Sequence, residues 1–175
     1  MTDNFARLPN SFFQREVTKV APDLLGKVLV RQFKDDSVER FIITEVEAYR
    51  GQDDKACHAN KGLTARTRVM FQEGGLVYVY LIYGMYWMLN FVTGAPGDSS
   101  AVLIRGTEGI SGPGRVGRTL QLDKSFYGEN LATSERIWIE DAGIKPSYRT
   151  TPRIGIGYAG EPWISKLWRF IVETK

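Results

Sequence analysis

The chain has a single cysteine, Cys57, and a single histidine, His58. The first excludes an internal disulfide, and the two together leave no His/Cys cluster of the kind that holds zinc. A metal-free protein of the cytosol is therefore expected. Charge of either sign is missing from Gly74 to Gly97, a 24-residue stretch without Asp, Glu, Lys, Arg or His. Long apolar runs are scarce as well. Leu76 to Val92 barely reaches spanning length and is interrupted by Gly84, Asn90 and four tyrosines, which argues against a membrane helix. The stretch MTDNFARLPN carries Asp3 and Arg7 and no signal-peptide core, so no export is expected. Nor is there a solenoid repeat, a low-complexity tract or a block of like charge.

What the chain does have is a crowd of aromatics. Four of its eight tyrosines, Tyr78, Tyr80, Tyr83 and Tyr86, fall in the run GGLVYVYLIYGMYWMLNFV. Alternation predicts two strands, with Val77, Val79 and Leu81 on one face and Tyr78 and Tyr80 on the other. Gly84 supplies the positive φ that a tight hairpin turn needs, which leaves Tyr83 at the tip. A large aromatic there either packs under another element or is offered to a partner.

The rest reads as α+β, one domain over residues 1–175, with a curved and mostly antiparallel sheet, flanking helices and the protruding hairpin. Asn10 or Ser11 is a candidate cap for a first short helix, and VTKVAPDLLG reads as a second, stopped by Gly26. Strands are expected at Lys27 to Lys34, Arg40 to Tyr49, Ser100 to Gly106, Arg136 to Asp141, Arg153 to Tyr158 and Leu167 to Val172. Between Gly51 and Val69 lies a long polar loop with one helical turn, of a length that is usually functional. The glycine-rich basic loop GTEGISGPGRVGR leads into a helix through Leu122. An excess of 23 basic over 20 acidic residues gives a net charge of +3, which permits a polyanionic partner without demanding one.

Several constellations could carry chemistry. On a regular strand, FIITEVEAYRG places Glu45, Glu47 and Tyr49 on one face and Ile42, Thr44, Val46 and Ala48 on the other. Such a face is either solvated, or a drier site in which a carboxylate beside Tyr49 acts as a base. His58 is either hydrogen-bonded structure or a neutral imidazole that donates to or stacks on a ligand. Arg105 ends the apolar strand AVLIR; directed inward it would need a carboxylate or an anionic ligand, and Glu47 is available. GISGPGRV imitates a phosphate loop, but Arg115 and Val116 stand where Lys and Ser/Thr are required, which removes nucleotide triphosphate hydrolysis. Backbone N–H groups there could still meet a nucleic-acid phosphate.

In order along the chain, TEVEAYRG, the His58 loop with TARTRVMF, YVYLIYGMYWMLN, AVLIRG and RIGIGYAGE resemble the alkyladenine (3-methyladenine) DNA glycosylase family. The likeness runs from about Ser11 to Val172. It implies a base-excision repair enzyme that flips damaged purines out of duplex DNA and hydrolyses the N-glycosidic bond, without metal or cofactor, leaving an abasic site. By the resemblance Glu47 is the catalytic glutamate, the base that activates the attacking water. Arg105 helps hold the attacking water, and the backbone carbonyl of Ile154 contacts it. Tyr49, His58 and Tyr80 enclose the flipped base. Tyr83 is wedged into the minor groove in its place, Asn90 opposes the 2-amino group of guanine, and Leu103 lines the pocket. Thr64 and Arg66 lie where the family touches phosphates, and Arg115 is a further candidate for that contact. Tyr78 and Tyr86 are left as support for the hairpin. Ala65 stands where the family often has Pro, Tyr158 replaces a common His, and the basic N-terminal extension of vertebrate members is missing. A monomeric, compact prokaryotic form working on the nucleoid is the expectation. Two rivals are a non-catalytic binding module with tyrosines as stacking platforms and a nucleoside hydrolase using Glu45 and Glu47 as a pair.

Overall fold

Residues 5–174 are described by a computed structural model; Met1 to Asn4, part of the stretch read as lacking a leader, and Lys175 lie outside the described residues. The elements follow as β1 (Ala6–Arg7), α1 (Asn10–Phe13), α2 (Val17–Leu24), β2 (Val28–Gln32), β3 (Val38–Tyr49), β4 (Val77–Ile82), β5 (Tyr86–Thr93), β6 (Ser100–Thr107), β7 (Ile110–Ser111), α3 (Pro113–Thr119), β8 (Ile137–Asp141), β9 (Tyr148–Thr151) and β10 (Arg169–Val172). The α+β expectation holds. One open, curved sheet runs β1-β8-β2-β3-β6-β5-β4, with β10 on the far half of β3 and β9 beyond it, and every pairing in it is antiparallel.

The sheet has two covered faces, and they differ. Against one lie α2 and α3. α2 buries Val17, Val20, Ala21 and Leu24, the i, i+3, i+4, i+7 spacing that makes one helical stripe. These meet Val46, Ala48, Val79, Leu89, Phe91, Val102 and Ile104 from the strands, each buried. Removing each such side chain from water contributes roughly 1.5–3 kcal/mol before chain entropy is counted. Against the other face the loop after β3 packs Cys57, Ala59, Val69 and Met70 onto Tyr78, Val92 and Ala101, with Tyr49 and Tyr80 beside them.

The hairpin forms as its alternation demands. Val77 and Val79 enter the helix-covered core while Tyr78 and Tyr80 join the other face. Tyr83 and Gly84 both have positive φ, 51° and 65°, and the Met85 N–H donates to the Ile82 carbonyl at 3.0 Å, which makes a primed turn matched to strand twist. Tyr83 is 87% exposed at its tip. The run is thus strand, and among the described residues no helix is long and apolar enough to cross a membrane.

Five readings need correction. First, β3 does not alternate regularly. Its pairing with β6 slips on either side of Glu45, so Ile43 rather than Ile42 joins Val46 and Ala48 in the core. The extra bulge residue reverses the phase. Second, the segment Arg153 to Tyr158 is not a strand. Both edges of β3 there are taken, by β6 and β10, so the segment crosses the end of the strand and winds into a 3-10 turn at Gly157–Ala159. The sheet position goes instead to β9, which the sequence hid among turn residues. Third, the helix expected to follow the glycine-rich loop and run through Leu122 begins inside the loop at Pro113 and ends at Thr119. Glycine at 114 and 117 lets this helix pack close to β5, because a Cβ would lie 3.0 Å from the Tyr86 ring and 1.9 Å from the Trp87 carbonyl oxygen. Fourth, the long polar loop holds two 3-10 turns, His58–Lys61 and Arg68–Phe71, rather than one. Fifth, α1 is capped by Pro9, with no side-chain hydrogen bond from Asn10 or Ser11.

Candidate active site

Strand register assembles the site. Tyr78 lies opposite Asn90, Asn90 opposite Leu103, Leu103 opposite Glu47, and Glu47 opposite Arg169, so one row across β4, β5, β6, β3 and β10 points to a single face. Residues directly opposite one another share a face of the pleat. Above this row the loop carrying His58 and the segment carrying Ile154 close a cavity of about 160 Å³. That is close to the volume, about 150 Å³, of an engineered cavity that takes up benzene, and this one is open at its mouth.

Glu47, 0% exposed, lies beneath the floor of the cavity, behind its lining residues Tyr49, Arg105 and Ile154. Its Oε1 accepts from the Tyr49 hydroxyl at 2.8 Å and from Arg105 Nη1 at 3.3 Å, and its Oε2 accepts from the Ile154 N–H at 2.7 Å. Burial, then the carboxylate of Glu47, pushes the Tyr49 hydroxyl well above its ordinary range, which keeps it a proton-bearing donor. Carboxylate oxygens have room for more than these three donors, so Glu47 retains acceptor capacity.

The walls are aromatic. His58 meets Tyr80 edge to face at 4.5 Å between centroids, and its Nδ1 lies 2.9 Å from the Tyr78 hydroxyl. Burial, reinforced by Arg66 and Lys61, lowers the His58 imidazole to about 4, so it is neutral near pH 7. Burial likewise pushes the Tyr80 hydroxyl up to about 12. Asn90 is 4% exposed, and its amide nitrogen donates to the carbonyls of Tyr78 at 3.2 Å and Met88 at 3.4 Å. Leu103 completes the lining beside Arg105, and Tyr158, whose hydroxyl donates to the Ala56 carbonyl at 3.0 Å, stands at the exposed rim.

The structure therefore brings Glu47, Tyr49, His58, Tyr80, Asn90, Leu103, Arg105 and Ile154 together. Tyr83 stands apart at the hairpin tip. Arg66 lies with its guanidinium 5.1 Å from the Tyr80 ring centroid, at the pocket edge. Thr64 is exposed and exchanges hydrogen bonds with Thr67, and Arg115 is exposed on α3, outside the cavity lining. Cys57 is buried with its thiol pushed up to about 12 by burial, so no nucleophile arises there. Sequence reasoning missed three contributions. Tyr78, read as hairpin support, also orients His58. Asp54 and Arg153 form an ion pair with both side chains 0% exposed behind Tyr49. Arg169 joins Glu45 at 2.7 Å. Only contact across distant segments reveals these, and neither spacing nor composition signals it.

A buried carboxylate behind a slot of aromatic rings can accept a proton beside a flat ring held in that slot. The profile of the methylpurine-DNA glycosylase family matches residues 11–111 and 107–175, and the chain belongs to that family. It is 43% identical to a protein of Methanocella arvoryzae over 93% of this chain and 90% of the relative. It is 45% identical to one of Rickettsia felis over 94% and 92%, and 45% identical to one of Wolbachia pipientis wMel over 93% and 89%. All three relatives are named, provisionally, as 3-methyladenine DNA glycosylases.

Proposed function

We propose that this chain is a monofunctional glycosylase that extrudes alkylated or deaminated purine nucleotides, of the 3-methyladenine, ethenoadenine and hypoxanthine type, from duplex DNA and hydrolyses their N-glycosidic bond. The observation that carries the reading is Glu47, fully buried at the end of an aromatic slot and held by three donors that leave it room to accept a proton. Its family membership supports it.

In this reading Tyr83 fills the stack vacated by the extruded nucleotide, which costs a few kcal/mol to remove. The base lies between Tyr49, His58 and Tyr80, whose electron-rich faces favour a cationic purine. A water held by Arg105 and the Ile154 carbonyl gives its proton to Glu47 as its oxygen bonds to the sugar carbon. The electron pair of the broken C–N bond leaves with the base. A methylated cationic purine departs as a neutral molecule, so one base suffices and no second acid is required. Asn90, with its amide nitrogen spent on backbone carbonyls, fixes the wall that discriminates among purines. Thr64, Arg66 and Arg115 meet phosphates around the slot. Among the described residues no lysine lines the cavity to act as a Schiff-base nucleophile, so the product is an uncut abasic site.

The test is base release from duplexes carrying a single 3-methyladenine or ethenoadenine, with and without Glu47→Gln. Release by the wild type and its loss in the variant are expected. No release, or release at full rate by Glu47→Gln, overturns the reading.

A further inference from the structure

Glu45 is the acid that the proposed reaction leaves unused, yet it is not solvated as a spare carboxylate would be. The bulge in β3 re-aims it, and its Oε1 accepts from Arg169 Nε at 2.7 Å and from Arg105 Nε at 3.3 Å. Arg105 spans both acids, since its Nη1 donates to Glu47 at 3.3 Å. Arg169 is fixed in turn, opposite Glu47 in the β10 register and with its Nη1 on the Thr151 hydroxyl at 3.2 Å. Two carboxylates and two guanidiniums thus form a charge-balanced chain, Arg169–Glu45–Arg105–Glu47, with side-chain exposures of 20%, 16%, 14% and 0%.

We propose that Glu45 and Arg169 are positioning residues that hold Arg105 astride the two carboxylates and thereby set how fully it neutralises Glu47. The inference rests on the reading of Glu47 as the base.

The physical argument concerns the division of one cation between two anions. A guanidinium given wholly to Glu47 would stabilise its carboxylate and weaken it as a proton acceptor; one drawn wholly to Glu45 would leave it under-compensated. Arg169 balances the two by meeting part of the charge on Glu45. The other groups facing this chain carry no net charge toward it. From β3 comes the Tyr49 hydroxyl, from the crossing segment the Ile154 N–H, and from the pocket walls Tyr80 and Tyr158. Arg153 reaches Tyr49 from behind, but Asp54 pairs with it in two hydrogen bonds. The balance on Glu47 is therefore decided by Arg105, Glu45 and Arg169.

The experiment is the pH profile of single-turnover excision on an ethenoadenine duplex for the wild type, Glu45→Gln and Arg169→Gln, with thermal melting to confirm folding. In Glu45→Gln the acid-side half-maximum is expected to move to lower pH by about half a unit or more, with a plateau rate about tenfold lower, because Arg105 then belongs to Glu47 alone. In Arg169→Gln it moves the opposite way, because Glu45 draws Arg105 off. Arg169→Lys keeps the charge without the fork. It is expected to hold the half-maximum at the wild-type position, so it serves where Arg169→Gln does not fold. Loss of rate in both Gln variants with the half-maximum unmoved, or movement in the same direction, overturns the proposal in favour of a merely structural network. A Glu47→Gln protein that keeps full activity is a different failure, that of the base assignment itself.

Discussion

Two carboxylate–arginine pairs meet at Tyr49, and they are built differently. Asp54 and Arg153 are joined in two hydrogen bonds of 2.6 and 3.0 Å, both side chains fully buried. The remaining capacity of Asp54 is taken by the N–H groups of Arg50 and Ala56, and Arg153 also donates to the Ala48 carbonyl. The guanidinium is packed between Tyr49 and Trp168, with its carbon 4.8 and 5.0 Å from their ring centroids. Glu47 and Arg105 meet through a single contact of 3.3 Å, with the arginine lining an open cavity and shared with Glu45. Asp54 has no lone pair to spare, so this pair holds structure, although the Arg153 Nε–H is buried without a partner. A slack pair beside a cavity can take up a water.

The largest expected effects test that contrast directly. Glu47→Gln is expected to lower the excision rate on a lesion duplex by about 10²–10⁴-fold, the usual contribution of a positioned base, while melting close to the wild type. Asp54→Asn should do the reverse. It leaves the Arg153 cation buried with a poorer partner, at a cost approaching the roughly 3–5 kcal/mol of a broken buried pair, and the activity per folded molecule falls far less than in Glu47→Gln. Chemical denaturation and single-turnover kinetics on the two proteins separate the outcomes. An Asp54→Asn protein as stable as the wild type would remove the distinction between the pairs.

The contrast also explains what the sequence could disclose. The hairpin was legible because its code is local: alternation over Val77 to Leu81 and a glycine at the turn. Glu47 and Arg105 were legible as types in an apolar setting, and their roles came from resemblance to a family. The Asp54–Arg153 pair was not legible, because the partners are 99 residues apart and each sits among ordinary polar loop residues. The face assignment of Ile42 failed for a related reason, since a bulge depends on the partner strand as well as on the bulged one. The same holds for Arg153 to Tyr158, where alternation is present but neither edge of the neighbouring β3 is free to receive it.

A second comparison sets the sealed floor against the exposed rim. Tyr83 projects from a turn that leaves it 87% exposed, so Tyr83→Ala is expected to leave thermal stability within about 0.5 kcal/mol of wild type. Excision from duplex DNA should fall about tenfold to a hundredfold, in line with the loss of a wedge that offsets a few kcal/mol of unstacking. The deficit should shrink on a lesion placed opposite a mismatch, where extrusion is easier. Equal deficits on paired and mismatched lesions would place Tyr83 outside the flipping step.

The smallest expected effect lies in the wall between floor and rim, at His58. Its imidazole is lowered to about 4 in the folded protein, by burial first and by Arg66 and Lys61 next, against an ordinary value of 6.5. Between these values the unfolded chain binds a proton at His58 and the folded protein does not, so stability is lost as pH falls through that window and is fully present above it. Carboxylates also weaken the fold in acid, so the measurement must be a difference. Because His58 is the sole histidine, comparison of wild type with His58→Gln isolates it. Between pH 7 and pH 4.5, urea denaturation should show the wild type losing more stability than the variant. Excision by the wild type should meanwhile show no step attributable to imidazole titration between pH 6 and 8, because the wall stays neutral there. Parallel stability curves for the two proteins would mean that burial in the wall does not hold the ring neutral.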